Sequence, residues 1–327
     1  MTRILVTGGA GYVGSVCAEL LISQKYKVVV LDDLRTGHRA AVHPKAVFIK
    51  GNIGNKTLLR DIFEKHEFAA VMHFAAETLV SKAQTNPRSY YYNNITNGLN
   101  LLEAMIRHKC LNIVFSSTAA VYGEPQQVPM GEDHIKHPLN AYGESKLMFE
   151  KILYRYSSAY GLKYFIFRYF NAAGATLRNG EDHPHETHLL PLILQVASQT
   201  RSHINIYGGD YDTPDGSCIR DFVHVWDIAC AHTLALKKFD SPSNTVYNLG
   251  SQTGYSVRTV IEICRLITGK KIPVRLAARR QGDPSRLVAD ASKARKELLW
   301  KPTHSSVEEI ITSAWKWVQK YPGGYPK

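Results

Sequence analysis

The 327-residue chain contains no long apolar run. A helix that crosses a bilayer needs about 20 consecutive apolar residues, so no membrane span is expected. No secretion leader is read either, because Met1 runs directly into the strand-like Arg3-Ile4-Leu5-Val6-Thr7. Cysteine is sparse. Cys17, Cys110, Cys218, Cys230 and Cys264 are scattered, odd in number and without CxxC spacing. This argues against a disulfide framework and for thiols in a reducing compartment, so the expected location is cytoplasmic. Acidic residues are also in deficit: 28 Asp and Glu against 40 Lys and Arg leave a formal charge of +12. Such a balance raises nucleic-acid binding. The basic residues form no single long run, however, and no zinc-finger or RNA-binding signature is present. The charge is read instead as a basic surface with sites for phosphate-bearing small molecules.

What the chain does have is alternation. Arg3 to Thr7 suits a strand buried on both faces. Gly8-Gly9-Ala10-Gly11-Tyr12-Val13-Gly14 follows, then a helical pattern from Val16 to Leu21. Gly8, Gly11 and Gly14 allow a tight strand-to-helix turn and a close backbone approach to a pyrophosphate at the helix N-terminus. The next strand, Val28 to Leu31, ends at Asp32-Asp33. A carboxylate there accepts hydrogen bonds from a ribose 2′-hydroxyl and repels a 2′-phosphate, which favours NAD over NADP. Strand and helix signals continue: Val47-Phe48-Ile49, a helix over Lys56–Lys65, Ala70 to Ala76, a long helix opened by Asn86-Pro87, Asn112 to Thr118, and Tyr164 to Arg168. Repeated βα units imply a Rossmann-type, doubly wound parallel sheet of α/β class, with ligands at the strand C-terminal ends. His73, inside an apolar strand, reads as a core histidine. Tyr90, Tyr91 and Tyr92 cannot all face one core.

Tyr142-Gly143-Glu144-Ser145-Lys146 carries the chemistry. In a helix Tyr142 and Lys146 share a face. An ammonium beside a phenol is expected to lower its pKa from about 10 and give a proton acceptor near neutral pH. Thr118, after Ser116-Ser117, is read as a second hydrogen-bond donor.

Together the Gly8 to Gly14 turn, Phe74-Ala75-Ala76, Ser116-Ser117-Thr118, Val121-Tyr122-Gly123, Tyr142 to Lys146 and Arg168 to Asn171 resemble the extended short-chain dehydrogenase/reductase family. More narrowly they resemble its UDP-glucose 4-epimerase group. The likeness runs nearly end to end, through Gly180-Glu181-Asp182-His183, His188-Leu189-Leu190-Pro191, Arg220 to Val225, Tyr247 to Gly250, Arg280-Gln281-Gly282-Asp283 and Tyr321 to Pro326.

The resemblance implies that Tyr142 is the base, Lys146 its electrostatic partner and ribose ligand, and Thr118 the hydroxyl near the sugar O4. It implies Tyr12 and Val13 on the pyrophosphate, Asp32 and Asp33 by the adenosine ribose, and Asn52 and Ile53 by adenine. Phe74, Ala75, Ala76, Asn93 and Phe170 would line the cofactor. For the substrate it implies Arg220 and Arg280 on a UDP diphosphate, Asp283 on its ribose, and Asn205 to Tyr207 beside uracil. Asn171, His188, Leu189 and Leu287 complete the cleft. Asn52 stands where many members have aspartate, and Thr78 where some have lysine.

The division implied is an NAD-binding domain over 1–171, with return segments near 222–250, and a smaller α/β UDP-sugar-binding domain over 172–327. The expected activity is NAD-dependent inversion at C4 of UDP-glucose or UDP-galactose, in a homodimer without nucleic acid. UDP-N-acetylglucosamine and UDP-glucuronate stay open as substrates. A different class, a non-catalytic NAD-sensing protein, is also open. A dehydratase is disfavoured, because Ala119-Ala120 stand where it carries an Asp-Glu pair. Asp182-His183-Pro184-His185-Glu186-Thr187-His188 is rich in metal-ligand types, but it reads as a polar loop over substrate and no metal is expected.

Overall fold

The structure, a computed structural model, describes residues 2–241, 243–280 and 282–326. Gln281 of the Arg280–Asp283 stretch therefore lies outside the described residues. The first strands are β1 (Arg3–Thr7), β2 (Lys27–Asp32), β3 (Val47–Lys50), β4 (Ala70–His73), β5 (Asn112–Thr118) and β6 (Lys163–Tyr169). The chain then lays down β7 (Asn171–Ala173), β8 (Ile204–Tyr207), β9 (Ile219–His224) and β10 (Thr245–Leu249). Seven of these make one sheet in the order β10-β6-β5-β4-β1-β2-β3, with every pairing parallel.

A strand buried on both faces needs apolar residues at successive positions, since side chains alternate sides. In β1, Ile4 and Val6 pack on one face with Val16, Cys17 and Leu20 of the helix Tyr12–Ser23 and with Ile228 and Ala231. Leu5 faces the other way, towards Leu59, Ile62, Leu101, Met105, Phe149 and Leu153. The strand order reverses beside β1, and the crevice outside the strand C-termini opens there.

After β6 the chain builds a second, four-stranded sheet and a separate two-stranded one. β9 pairs with β7, with β11 (Gly254–Ser256) and with β13 (Arg286–Leu287), while β12 (Val274–Ala277) pairs with β8. Their core contains Ile193, Leu194, Ile206, Phe222, Ile261 and Ile310. Of the two stretches read as returning to the first sheet, only Thr245–Leu249 does so, parallel to β6. Phe222 to His224 lie in the second sheet, because β7 supplies their parallel partner.

The long helix expected from Asn86-Pro87 is interrupted. Pro87–Tyr90 is α-helical, Tyr91–Thr96 is a π-helical turn, and Asn97–Arg107 is α-helical again. A π turn re-aims side chains that a regular helix would place elsewhere. Here Asn94 Oδ1 accepts from Glu77 N at 2.8 Å, and its Nδ2 donates to Ser145 Oγ at 2.9 Å. Tyr90 is buried, whereas Tyr92 is 60% exposed.

Candidate active site

One open cavity of about 740 Å³ runs from the β1 turn to β13. At its first end Gly8, Gly11, Tyr12, Val13 and Gly14 form the wall. Gly8 has φ +73°, and a Cβ there would lie 2.5 Å from Ala75 N. A Cβ on Gly14 would lie 2.3 Å from Gly8 O. Only glycine permits both the turn and this approach. The backbone thus forms a smooth cradle at the N-terminus of Tyr12–Ser23, which suits a dinucleotide pyrophosphate.

Asp32 and Asp33 both line the cavity but differ in surroundings. The Asp32 carboxylate accepts from Ala10 N at 3.0 Å and Leu34 N at 2.8 Å. Burial raises its pKa against these two hydrogen bonds. Asp33 accepts from Asn52 Nδ2 at 2.6 Å and from Arg35 Nε at 2.8 Å. Those partners outweigh burial and lower its pKa. Asn52 Oδ1 accepts from Gly54 N at 2.7 Å, so the amide is fixed at both ends. Ile53, Phe74, Ala75, Ala76 and Asn93 complete this half of the wall.

Thr118 ends β5, and its Oγ1 accepts from Ala120 N at 3.1 Å, turning the chain sharply. The helix Ala141–Tyr160 begins just before Tyr142, because the Asn140 side chain accepts from Gly143 N at 3.0 Å and caps it. Thr118 and Tyr142 both line the cavity, as do Tyr169 and Phe170. Lys146 lies behind the wall, 2% exposed.

Here the electrostatics depart from the expectation that Lys146 lowers the phenol. Burial raises the Tyr142 pKa, and a hydrogen bond with the Thr118 hydroxyl pulls it only partway back. The reason lies in the lysine. Its Nζ donates to Ser116 O at 2.8 Å and sits 4.9 Å above the Phe115 ring. Burial takes Lys146 down to about 7, against the opposing Glu150 carboxylate.

At the second end, Arg220 Nη2 donates to Asp283 Oδ1 at 2.7 Å, and Arg280 Nε donates to Asp283 Oδ2 at 3.2 Å. The Arg280 guanidinium also stacks 4.5 Å over the Tyr207 ring. Asn205, Asn171, His188, Leu189 and Leu287 line the same end. Asn171 Nδ2 donates to Asp221 O at 2.8 Å, tying β7 to β9. Two planar guanidiniums beside one carboxylate form a preorganised anion site.

Sequence reasoning missed Arg35 and Glu77, which pair at 2.8 Å on the cavity wall. Arg35 follows Asp32-Asp33 closely enough to have drawn notice, but Glu77 carries no local signal. His183, read from the sequence as part of a polar loop over substrate, lines the far wall. His73 is a core residue: its Nδ1 lies 2.7 Å from Thr7 Oγ1, and burial takes its pKa down to about 3.

Residues 4–250 match the NAD dependent epimerase/dehydratase family. A UDP-glucose 4-epimerase of Streptococcus mutans is 49% identical over 328 residues, covering 98% of each chain. A crystal structure of a UDP-glucose 4-epimerase superimposes with a TM-score of 0.98 at 47% identity over 100% of both chains. The Brucella ovis UDP-glucose 4-epimerase, crystallised with NAD, superimposes with a TM-score of 0.94 at 41% identity, covering 96% of this chain and 98% of that one. With a glycine cradle, a cavity-facing tyrosine and an all-parallel main sheet, the chain belongs to the NAD dependent epimerase/dehydratase family.

Proposed function

We propose that the chain inverts C4 of a UDP-hexose, interconverting UDP-glucose and UDP-galactose. The observation that carries this reading is one continuous cavity. It joins a dinucleotide cradle at Gly8 to Gly14 with the Arg220–Asp283–Arg280 cluster, and Tyr142 and Thr118 line its wall.

The glycine cradle, which any Cβ at Gly8 or Gly14 would fill, suits NAD. Asp32, Asp33 and Asn52 would hold its adenosine end, with Phe74, Ala75, Asn93 and Phe170 along its length. NAD supplies a hydride acceptor and donor for C4, and in its oxidised form a positive charge. Such a charge favours an ionised phenol, which offsets the burial that raises Tyr142. Tyr142 takes the proton from O4 and later returns it. Thr118 donates a hydrogen bond at the same oxygen, and Lys146 holds the tyrosine's surroundings in place. Arg220 and Arg280 hold the diphosphate, Asp283 the ribose, and Asn205 with Tyr207 the uracil. Anchoring the nucleotide leaves the sugar free to present its other face.

Elimination of water lacks its acid and base, because Ala119 and Ala120 occupy the turn after Thr118. Leu287 packs with Val121, Tyr122, Met130 and Phe170, and a leucine there leaves room for an N-acetylated sugar. Purified chain incubated with UDP-galactose and no added reductant should yield UDP-glucose, and denaturation should release NAD. UDP-N-acetylgalactosamine should react measurably in the same assay. A chain that converts neither sugar contradicts the function, and one inert to the N-acetylated sugar alone contradicts the reading of Leu287.

The same reading divides the chain at residue 171, with Thr245–Leu249 returned to the first domain, and places the protein in the cytoplasm. It also implies a homodimer through the helix Ala141–Tyr160 and its neighbour around Tyr92. Met148, Tyr154, Tyr160 and Tyr92 are exposed there, an apolar and aromatic surface suited to a second copy. Light scattering at micromolar concentration should give twice the 36.7 kDa chain mass, and a monomer would contradict this.

A further inference from the structure

The loop between β7 and the helix Leu189–Ala197 brings four potential ligands together. Atoms of Glu181, His183, Glu186 and His188 all lie within 4.8 Å of one another. His188 Nδ1 is 2.8 Å from both Glu181 Oε1 and Glu186 Oε1. His183 Nδ1 is 3.5 Å from Glu181 Oε1 and from Glu186 Oε2. A tetrahedral zinc ion with arms of about 2.0–2.1 Å separates its donors by about 3.4 Å. The observed edges straddle that spacing.

Two further features point to a cation. His183 Nδ1 is buried and has no hydrogen-bond partner, although it faces two carboxylate oxygens. The carboxylates themselves are withdrawn from water, at 8% exposure for Glu181 and 6% for Glu186. Glu181 also borders a cavity whose other walls suit diphosphates, where its charge opposes binding unless it is balanced. Protonated imidazoles paired with the two carboxylates are one balance. A divalent cation is the other. It uses the imidazole lone pairs and leaves a neutral cluster of two histidines and two carboxylates.

We propose that Glu181, His183, Glu186 and His188 bind a divalent transition metal of the zinc class, which pins this loop as a wall of the cleft. Mixed imidazole and carboxylate ligands suit zinc, whereas magnesium and calcium take oxygen. Four protein ligands close the coordination shell, so the metal is structural. The site stands independently of the proposed epimerisation.

The test strips the full chain with a chelator, reloads it with Zn²⁺, and measures retained metal by mass spectrometry after gel filtration. Glu186→Gln, His183→Ala and His185→Ala are run alongside, the last altering an exposed neighbour outside the cluster. Wild type and His185→Ala should retain about one zinc per chain. Zinc should raise their melting temperature, and Co²⁺ should give the intense visible absorption of a tetrahedral site. Glu186→Gln and His183→Ala should bind more than about 100-fold more weakly, beyond the ~10–100-fold loss for an outer-shell partner. If wild type retains no stoichiometric zinc, the cluster is only a protonated ion-pair network. If the cluster variants retain as much as wild type, the metal is adventitious. Either result overturns the proposal. Should a variant fail to fold, wild-type stoichiometry and its thermal shift still decide.

Discussion

Tyr142→Phe is expected to lower kcat by about 10²–10⁴-fold, the usual contribution of a positioned proton-transfer group. The substitution removes one oxygen and keeps the ring that packs beside Tyr90, Tyr91 and Ala141. KM should stay nearly unchanged, because Arg220, Arg280 and Asp283, the groups proposed to hold the nucleotide, pair with one another at the other end of the cavity. A fall in kcat with steady KM marks an interaction made in the transition state. The same variant separates an enzyme from an NAD-sensing protein: a sensor would keep its function, whereas here NAD and UDP should still bind while turnover is lost. Steady-state rates with UDP-galactose and a binding isotherm for UDP provide the check. Turnover within a factor of about two of wild type would remove Tyr142 from the chemistry.

Glu150→Ala should cost about 3–5 kcal/mol of stability, the usual loss when one partner of a buried ion pair is removed. Arg168 meets the Glu150 carboxylate through Nε at 3.0 Å and Nη2 at 2.5 Å, with side chains only 3% and 6% exposed. Ser117 Oγ donates to the same carboxylate at 2.5 Å. Arg168 Nη1 continues to Tyr122 OH at 2.9 Å, and Tyr122 OH donates to Asn248 Oδ1 at 2.6 Å. One network therefore clamps β5, β6, β10 and the helix of Tyr142, next to the point where Thr118 leaves its strand. Without Glu150 the guanidinium is buried and unpaired, and Lys146 loses the carboxylate that supports its charge. Urea denaturation should show the loss. The double replacement Glu150→Leu with Arg168→Met should restore much of it, because an apolar pair avoids the desolvation cost. A single-variant loss below about 1 kcal/mol would mean the pair is already well solvated.

The parts legible in the sequence are those whose cause is local. The β1 strand shows itself because burial on both faces demands successive apolar residues. The glycine turn shows itself because Gly8 and Gly14 face backbone atoms that exclude any Cβ. The helix Lys56–Lys65 follows from its period, and Pro87 marks a helix start. The parts that stayed hidden depend on distant partners. The π turn over Tyr91–Thr96 is associated with contacts of Asn94 to Glu77 and Ser145, 17 and 51 residues away. Lys146 sits where expected along the helix, yet its ammonium turns to Ser116 O, which spacing cannot reveal. Arg168 stands in a stretch that carries the family resemblance, but Glu150 is one of several charges on its helix, and nothing local marks it as the partner. In the Gly180 to His188 loop the ligand types are plain in the sequence, but their mutual approach depends on the loop's path.

The central claim is that C4 loses and regains its own hydrogen within one cleft, with Tyr142 moving only the O4 proton. UDP-galactose carrying deuterium at C4 tests it most directly. After conversion in ordinary water, the UDP-glucose product analysed by NMR and mass spectrometry should keep essentially all the deuterium at C4. Replacement of that label by solvent hydrogen would contradict the account, because it would show C4 exchanging a proton with water.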